Sequence, residues 1–176
     1  MPRGYLKVFQ YGSNMNAERL NCPERLHCTA HIVGVARLEG YGIRFDLYSE
    51  GNKCAVTDIV KAVKEHVLGV LYDVPIRLVV APPGKRSKMD EIEGARPDGT
   101  GNYRRVRLTV AMGKQNISAV TYIGTDVGKR RFARRTAEEQ QVSKEYFGHL
   151  RLGAETFKFP EEYRTYLERQ AGLAKR

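Results

Sequence analysis

The sequence predicts an α+β protein: a small mixed β-sheet of about six or seven strands, closed or nearly closed into a barrel, with surrounding helices and a helical C-terminal part. Two periodicities predict it. Between residues 6 and 124, apolar and polar side chains alternate in short runs, the spacing that puts successive residues on opposite faces of a strand. After residue 135 the apolar positions recur at helical spacing. Length supplies a third constraint: 176 residues with 41% hydrophobic content suffice for one core. No linker or internal repeat divides the chain, so a single domain over 1–176 is expected.

Strands are expected over 6–11, 31–38, 43–48, 54–60, 67–73, 103–112 and 117–123. The clearest is 103–112, where Val106, Leu108, Val110 and Met112 alternate with Arg105, Arg107 and Thr109 to give one buried and one wet face. Gly40 and Gly42 flank Tyr41 and predict a hairpin between two strands. A short helix is expected from about Ser87, with Met89 and Ile92 on its buried side and Asp90 nearly opposite. Val142, Tyr146, Phe147 and Leu150 form a helical stripe ending near Gly153. Tyr163, Tyr166 and Leu167 form another, which starts around Pro160, a residue suited to a helix start.

Lys and Arg number 30 against 20 acidic residues, a formal charge of +10, and the balance of apolar and charged residues excludes a low-complexity or collagen-like chain. No apolar run approaches the ~18 residues of a membrane span. The opening MPRGYLKVFQYGSN meets glycine and polar residues too early for a signal-peptide core, so a soluble, cytoplasmic protein is expected. Cys22, Cys28 and Cys54 are an odd number without a C-x-x-C pair, which fits reduced thiols. Cys28 and His31 stand at a C-x-x-H spacing near Cys22 and His27, but ordinary buried or surface residues account for them better than zinc, and no metal is expected.

The densest basic patch is 129–135, where Lys129, Arg130, Arg131, Arg134 and Arg135 surround Phe132 and Ala133. It is expected in an exposed loop. Such a run can meet RNA or an anionic surface, yet no RNP-type aromatic pattern, KH loop or zinc knuckle accompanies it, so nucleic acid is not the expected partner.

Two segments carry chemistry. In the first, an apolar strand runs into Tyr11, Gly12, Ser13, Asn14 and Met15. Glycine there allows backbone angles closed to other residues and close approach of a ligand, Ser and Asn stabilise turns, and successive N–H groups can form an anion-binding nest. Read alone, Gly-Ser-Asn fits an ordinary loop equally well. In the second, Met89, Asp90, Glu91, Ile92, Glu93 and Gly94 crowd three acids into one helical turn, followed by Gly99, Gly101, Asn102 and Tyr103 before the amphipathic strand. Glu93 falls at the helix end, where the macrodipole disfavours a carboxylate and where it can turn inward. A solvated acidic turn explains the composition as well.

Together these segments resemble the gamma-glutamylcyclotransferase family, in order as well as in motif. Residues 11–15 (YGSNM) match that family's YGSNM/L loop, with Glu18 and Arg19 at the family's spacing behind it. Residues 35–45 resemble its "ARL…(Y/F)xLxF" hairpin, 67–72 (VLGVLY) its "VxGVLY" strand, and 89–94 (MDEIEG) its "LDxxEG". Tyr122 stands in its "xYx" strand, Tyr146 in its "PSxxY", and 153–163 resemble its "GA…LPxxY". Val142 replaces the usual Pro, Lys53 and Cys54 stand near a usual Gly pair, and 129–135 looks like an insertion.

The resemblance implies a small mixed β-barrel and conversion of a γ-glutamyl amine or amino acid into 5-oxoproline and the free amine. It implies that Glu93 is the catalytic acid/base, with a raised pKa. It further implies that substrate is bound by Val8, Phe9, Gln10, Tyr11, Gly12, Ser13, Asn14 and Met15 together with Tyr122 and Tyr146, the tyrosines offering hydroxyl donors. The partner is a small γ-glutamyl substrate, no cofactor is implied, and a homodimer is left open. The competing class is an inactive ligand-binding or RNA-associated basic protein on the same fold. Glu93 favours the enzyme, whereas the basic run is what favours RNA.

Overall fold

The computed structural model describes residues 4–173, so the ends of the expected 1–176 domain lie outside the described residues. Five strands close into one mixed barrel in the order β1-β3-β2-β4-β5, with β1 Tyr5–Gln10, β2 His31–Ser49, β3 Cys54–Pro75, β4 Tyr103–Met112 and β5 Gln115–Gly124. Closure comes from a parallel contact, Val8 of β1 against Val120 of β5; the other neighbours are antiparallel. Around the barrel lie α1 Ala17–Leu20, α2 Ile76–Val79, α3 Lys88–Glu93, α4 Asp126–Ala133, α5 Lys144–Thr156 and α6 Glu161–Gln170.

The strand count is lower than expected because two pairs of expected strands are continuous. Residues 31–38 and 43–48 belong to β2, and 54–60 and 67–73 to β3. The hairpin expected at Gly40 and Gly42 is a bulge. Gly40 takes φ +74°, the register against β3 shifts between Glu39 and Tyr41, and the ladder then resumes with Tyr41 opposite Lys61. A bulge bends and twists a strand without ending it, which a long strand needs to wrap a small barrel. The true reversal lies between Ser49 and Cys54.

The second correction concerns the basic run. Residues 129–133 of it are helical, in α4, where the Thr125 side chain accepts from Gly128 N–H and caps the start. Lys129 then reaches two carboxylates, Asp58 at 2.9 Å and Asp46 at 3.2 Å. Gly128 fits this helix because a Cβ there would come within 2.8 Å of the Asn102 carbonyl oxygen and 2.9 Å of Leu47. A capped start, with the buried Asp58 and the partly exposed Asp46 as counter-charges, outweighs the repulsion within the run.

The amphipathic strand behaves as expected: Val110 is buried while Arg105, Arg107 and Thr109 face solvent. Gly113, at φ +58°, opens the two-residue turn to β5. Helix α5 begins at the Ser143 cap and packs Gly153 so closely against the turn after β1 that a Cβ would lie 2.9 Å from Met15 Cβ. That contact clamps the Gly-Ser-Asn turn between barrel and helix. No helix among the described residues is long and apolar enough to cross a membrane.

Candidate functional site

Strand β1 delivers Gln10 and Tyr11 to one rim of the barrel, and the chain turns through Gly12 into a single 3₁₀ turn, Ser13–Met15. Gly12 has φ −103°, so the expected reliance on glycine-only backbone angles is not what the turn requires. Space is the requirement: a Cβ on Gly12 would sit 2.5 Å from Thr57 Oγ1. The Asn16 side chain accepts from Glu18 and Arg19 N–H and starts α1, fixing Arg19 just behind the turn.

Opposite this turn stands α3. The Ser87 hydroxyl accepts from Asp90 N–H at 3.1 Å while the Asp90 carboxylate accepts from Ser87 N–H at 3.0 Å, and Gly94 ends the helix at φ +68°. Both ends of a six-residue helix are thereby pinned, which sets the direction of its last side chain, Glu93. Asp90 departs from the expected outward position. It is buried, accepts from Tyr122 Oη at 2.9 Å and pairs with Arg105 at 3.4 Å, because its cap and cation lie on the barrel side.

Glu93 opens on a cavity of about 680 Å³ between the two elements. Asn14 Nδ2 donates to Glu93 Oε1 at 2.9 Å, and Arg25 Nη1 donates to Asn14 Oδ1 at 3.0 Å, so the arginine orients the amide that meets the carboxyl. Burial pushes Glu93 above the ordinary carboxylate range; the Asn14 and Gln10 amides and, more weakly, Arg25 and Arg19 pull it back. Among the described residues, Gln10 Nε2, near enough to Glu93 to pull it down, and Arg19 Nε are buried donors without an acceptor in hydrogen-bonding geometry. Unpaired buried donors are costly unless something else accepts from them.

Of the expected binding residues, Gln10, Tyr11, Gly12, Ser13, Asn14, Tyr122 and Tyr146 line this cavity with Glu93. Val8, Phe9 and Met15 are buried in the hydrophobic core and are not part of its wall. The three tyrosine hydroxyls have protein partners. Tyr11 donates to the Tyr122 carbonyl at 2.6 Å, Tyr122 to Asp90, and Tyr146 Oη accepts from Thr57 N–H at 3.1 Å and lies 2.9 Å from Thr57 Oγ1. Burial is the leading cause that raises all three phenols, so they stay neutral and shape the wall.

Sequence reasoning missed Arg25 and Thr57, which also line the cavity; it noted Asn102 and Tyr103 only as following the acidic turn, and Arg19 only as part of a motif. Thr57 lies near the start of β3, where nothing local marks a functional residue. Among the described residues, no group of three His, Cys, Asp or Glu is arranged to hold a metal ion.

The profile of the family described as "Gamma-glutamyl cyclotransferase, AIG2-like" matches residues 8–146, a span that holds both the turn and Glu93. The chain belongs to that family. Its fold is that of two solved structures in particular. An uncharacterized protein from Homo sapiens is 22% identical over 94% of this chain and 88% of its own, with a TM-score of 0.74. A protein titled gamma-glutamyl cyclotransferase is 22% identical over 93% of this chain and 86% of its own, with a TM-score of 0.71. A more distant yeast gamma-glutamyl cyclotransferase specific to glutathione has 12% identity and a TM-score of 0.55, covering 96% of this chain and 98% of its own. No curated protein matches the sequence significantly.

Proposed function

We propose that this family member is an active γ-glutamylcyclotransferase that releases 5-oxoproline and a free amine, with Glu93 as its acid/base. The observation that carries the proposal is the half-buried Glu93 carboxyl, raised by desolvation and aligned by Asn14 of the Gly-Ser-Asn turn across the cavity. A purely structural carboxylate would have a cation or a cap, as Asp90 does.

The reaction is intramolecular. The α-amino nitrogen of the γ-glutamyl group must attack its own γ-carbonyl carbon, which forms the ring C–N bond; the C–N bond to the leaving amine then breaks. The main demand is to hold a flexible chain folded for attack, and such positioning can lower a barrier by several kcal/mol. In this reading the turn at Gly12–Asn14, with Arg19 and Arg25 beside it, draws in the substrate's α-carboxylate, and Gln10 Nε2 donates to the oxygen on which charge develops. The α-ammonium has no lone pair for attack. Glu93 takes its proton and returns one to the departing nitrogen, which would otherwise leave as an amide anion. A raised pKa suits both halves of that task.

The test is to incubate the protein with a panel of γ-glutamyl amino acids, amines and peptides and to measure 5-oxoproline by mass spectrometry, with Glu93→Gln in parallel. Release from at least one compound, lost in the variant, is the expected result. Turnover by Glu93→Gln at the wild-type rate would remove Glu93 from the chemistry.

A further inference from the structure

A second cavity of about 380 Å³ adjoins the first, and the two share Tyr48, Glu50, Gly94 and Asn102 in their walls. Its own lining is dominated by guanidinium groups: Arg86 from the segment before α3, Arg96 from the segment after it, Arg131 from α4 and Arg135 just beyond α4. Glu50 is the one carboxylate in this wall, and it is already paired with Arg135. Arg135 is further held by Glu139 at 3.1 Å and lies 4.0 Å over the Tyr48 ring, so its charge is satisfied and its position fixed.

The other three guanidinium groups differ. Arg131 Nη1 donates to the Thr100 carbonyl at 2.8 Å and Arg86 Nη2 to the Asp90 carbonyl at 3.0 Å. Neutral acceptors fix a guanidinium in place without cancelling its charge. Among the described residues, none of Arg86, Arg96 and Arg131 is ion-paired. The wall therefore holds a net positive potential beside a partly enclosed space, where counter-charge is worth more than on open surface.

Position relative to Glu93 decides what this space faces. The γ-glutamyl half of the substrate must sit with its scissile nitrogen at Glu93, because Glu93 protonates that nitrogen as it leaves. Whatever is attached to the nitrogen extends away from the turn. Gly94, the next residue, offers no side chain to obstruct it, and Gly94 is shared with the second cavity.

We propose that the second cavity is the leaving-amine subsite and that it selects γ-glutamyl compounds whose amine portion carries an anionic group, a carboxylate or a phosphate; this rests on the cyclotransferase reading above. The basic run on α4 thereby gains a role: Arg131 supplies charge, Gly128 lets the helix approach Asn102, and Arg135 stiffens the rim through Tyr48 and Glu50. The preference is for a substrate half that the γ-glutamyl pocket does not itself read.

The experiment compares kcat/KM for matched compounds: γ-glutamyl-alanine and γ-glutamyl-phosphoethanolamine against γ-glutamyl-alaninamide and γ-glutamyl-ethanolamine. The acidic members should exceed the neutral ones by about tenfold or more, chiefly through KM, and the advantage should shrink in about 0.5 M salt. The carboxylate and phosphate arms show which anion the subsite prefers. Arg96→Gln and Arg131→Gln should each lower the acidic-to-neutral ratio. Arg131 also ties down the Thr100 segment, so Arg131→Lys, which keeps the charge, should retain part of the ratio. Equal turnover of acidic and neutral substrates, or a ratio insensitive to both glutamine variants, overturns the subsite while leaving the cyclotransferase intact. Absence of 5-oxoproline from every compound overturns both. An oligonucleotide that binds through Arg96 and Arg131, with no acidic preference in turnover, would instead assign the patch to nucleic acid.

Discussion

Glu93 and Glu65 sit on the same barrel and lie on opposite sides of the ordinary carboxylate range. Glu65, near the bend of β3, is held down to about 2, chiefly by hydrogen bonds from Arg44 and then from Tyr166. Arg44 Nη2 donates to Glu65 Oε1 at 2.9 Å and Tyr166 Oη donates to Oε2 at 2.7 Å. Among the described residues Glu93 meets no cation directly; its hydrogen-bonding neighbour is the neutral Asn14 amide, and burial raises it. Asp58 meets Lys129 directly at 2.9 Å and is nonetheless raised by burial, with Lys129 and Gly124 N–H pulling it back. Between Glu65 and Glu93 the difference is a direct cation at a partly exposed site against a neutral amide at a desolvated one. A carboxyl built to stabilise the fold receives a cation, whereas one left to exchange protons receives only an orienting amide.

The sharpest way to break that comparison is Glu93→Gln, which keeps size and hydrogen bonding but removes the titrating proton. Turnover should fall about 10²- to 10⁴-fold, the usual worth of a general acid/base, as measured by 5-oxoproline release. Stability should move the other way. The folded pKa of Glu93 lies above its unfolded value of 4.5, so its contribution is full below that pH and is lost as pH rises through the raised value. Glutamine never ionises, so the variant's Tm should exceed wild type near pH 7, and the difference should close in acid. A variant less stable than wild type at pH 7 would mean that the ionised carboxylate supports the fold.

Gly12→Ala comes next in size. Its methyl group would lie 2.5 Å from Thr57 Oγ1, so the turn must shift by a sizeable fraction of an ångström. A misplacement of that order costs about 10²-fold in kcat/KM. Combining it with Thr57→Ala should restore part of the loss, because the clashing hydroxyl is gone. No rescue in the double variant would point to something other than space at Gly12. Asn14→Ala should cost about tenfold at neutral pH. It should also move the acidic limb of the kcat/KM profile to higher pH, since it deletes the largest influence holding Glu93 down. An unmoved limb would uncouple Asn14 from Glu93.

The two halves of this site were unequally legible in the sequence. Residues 11–15 and 89–94 are local signals: a turn sequence after a strand, and a capped acidic turn closed by glycine. Each can be read within six residues. Arg25 reaches the site through the Asn14 side chain, and Thr57 through contact with Gly12 and Tyr146, links between distant segments that no local pattern announces. The same cause separates success from failure in the fold. Alternation along β4 and the stripes of α5 and α6 were plain, whereas α4 carries too few apolar residues to show a helical period and is held by Thr125 and by Asp46 and Asp58 from β2 and β3. At Gly40 a bulge and a hairpin have the same local composition, and only the register against β3 tells them apart.

Glu65→Gln carries the smallest expected effect and sharpens the contrast most directly. The Arg44–Glu65 pair is about one-third exposed on both sides, so solvent screening limits it to about 0–1 kcal/mol. Because the folded pKa is depressed, that stability is present above the unfolded value of 4.5 and is lost as pH falls through about 2. Urea unfolding should therefore find Glu65→Gln slightly less stable than wild type at pH 7 and indistinguishable from it near pH 2. Turnover should be unaffected, since Glu65 and Tyr166 line a different cavity from Glu93. A stability gap that persists unchanged into acid would show that Glu65 works through shape and neutral hydrogen bonds to Tyr166. In that case a cation partner would not be what separates the two carboxyls.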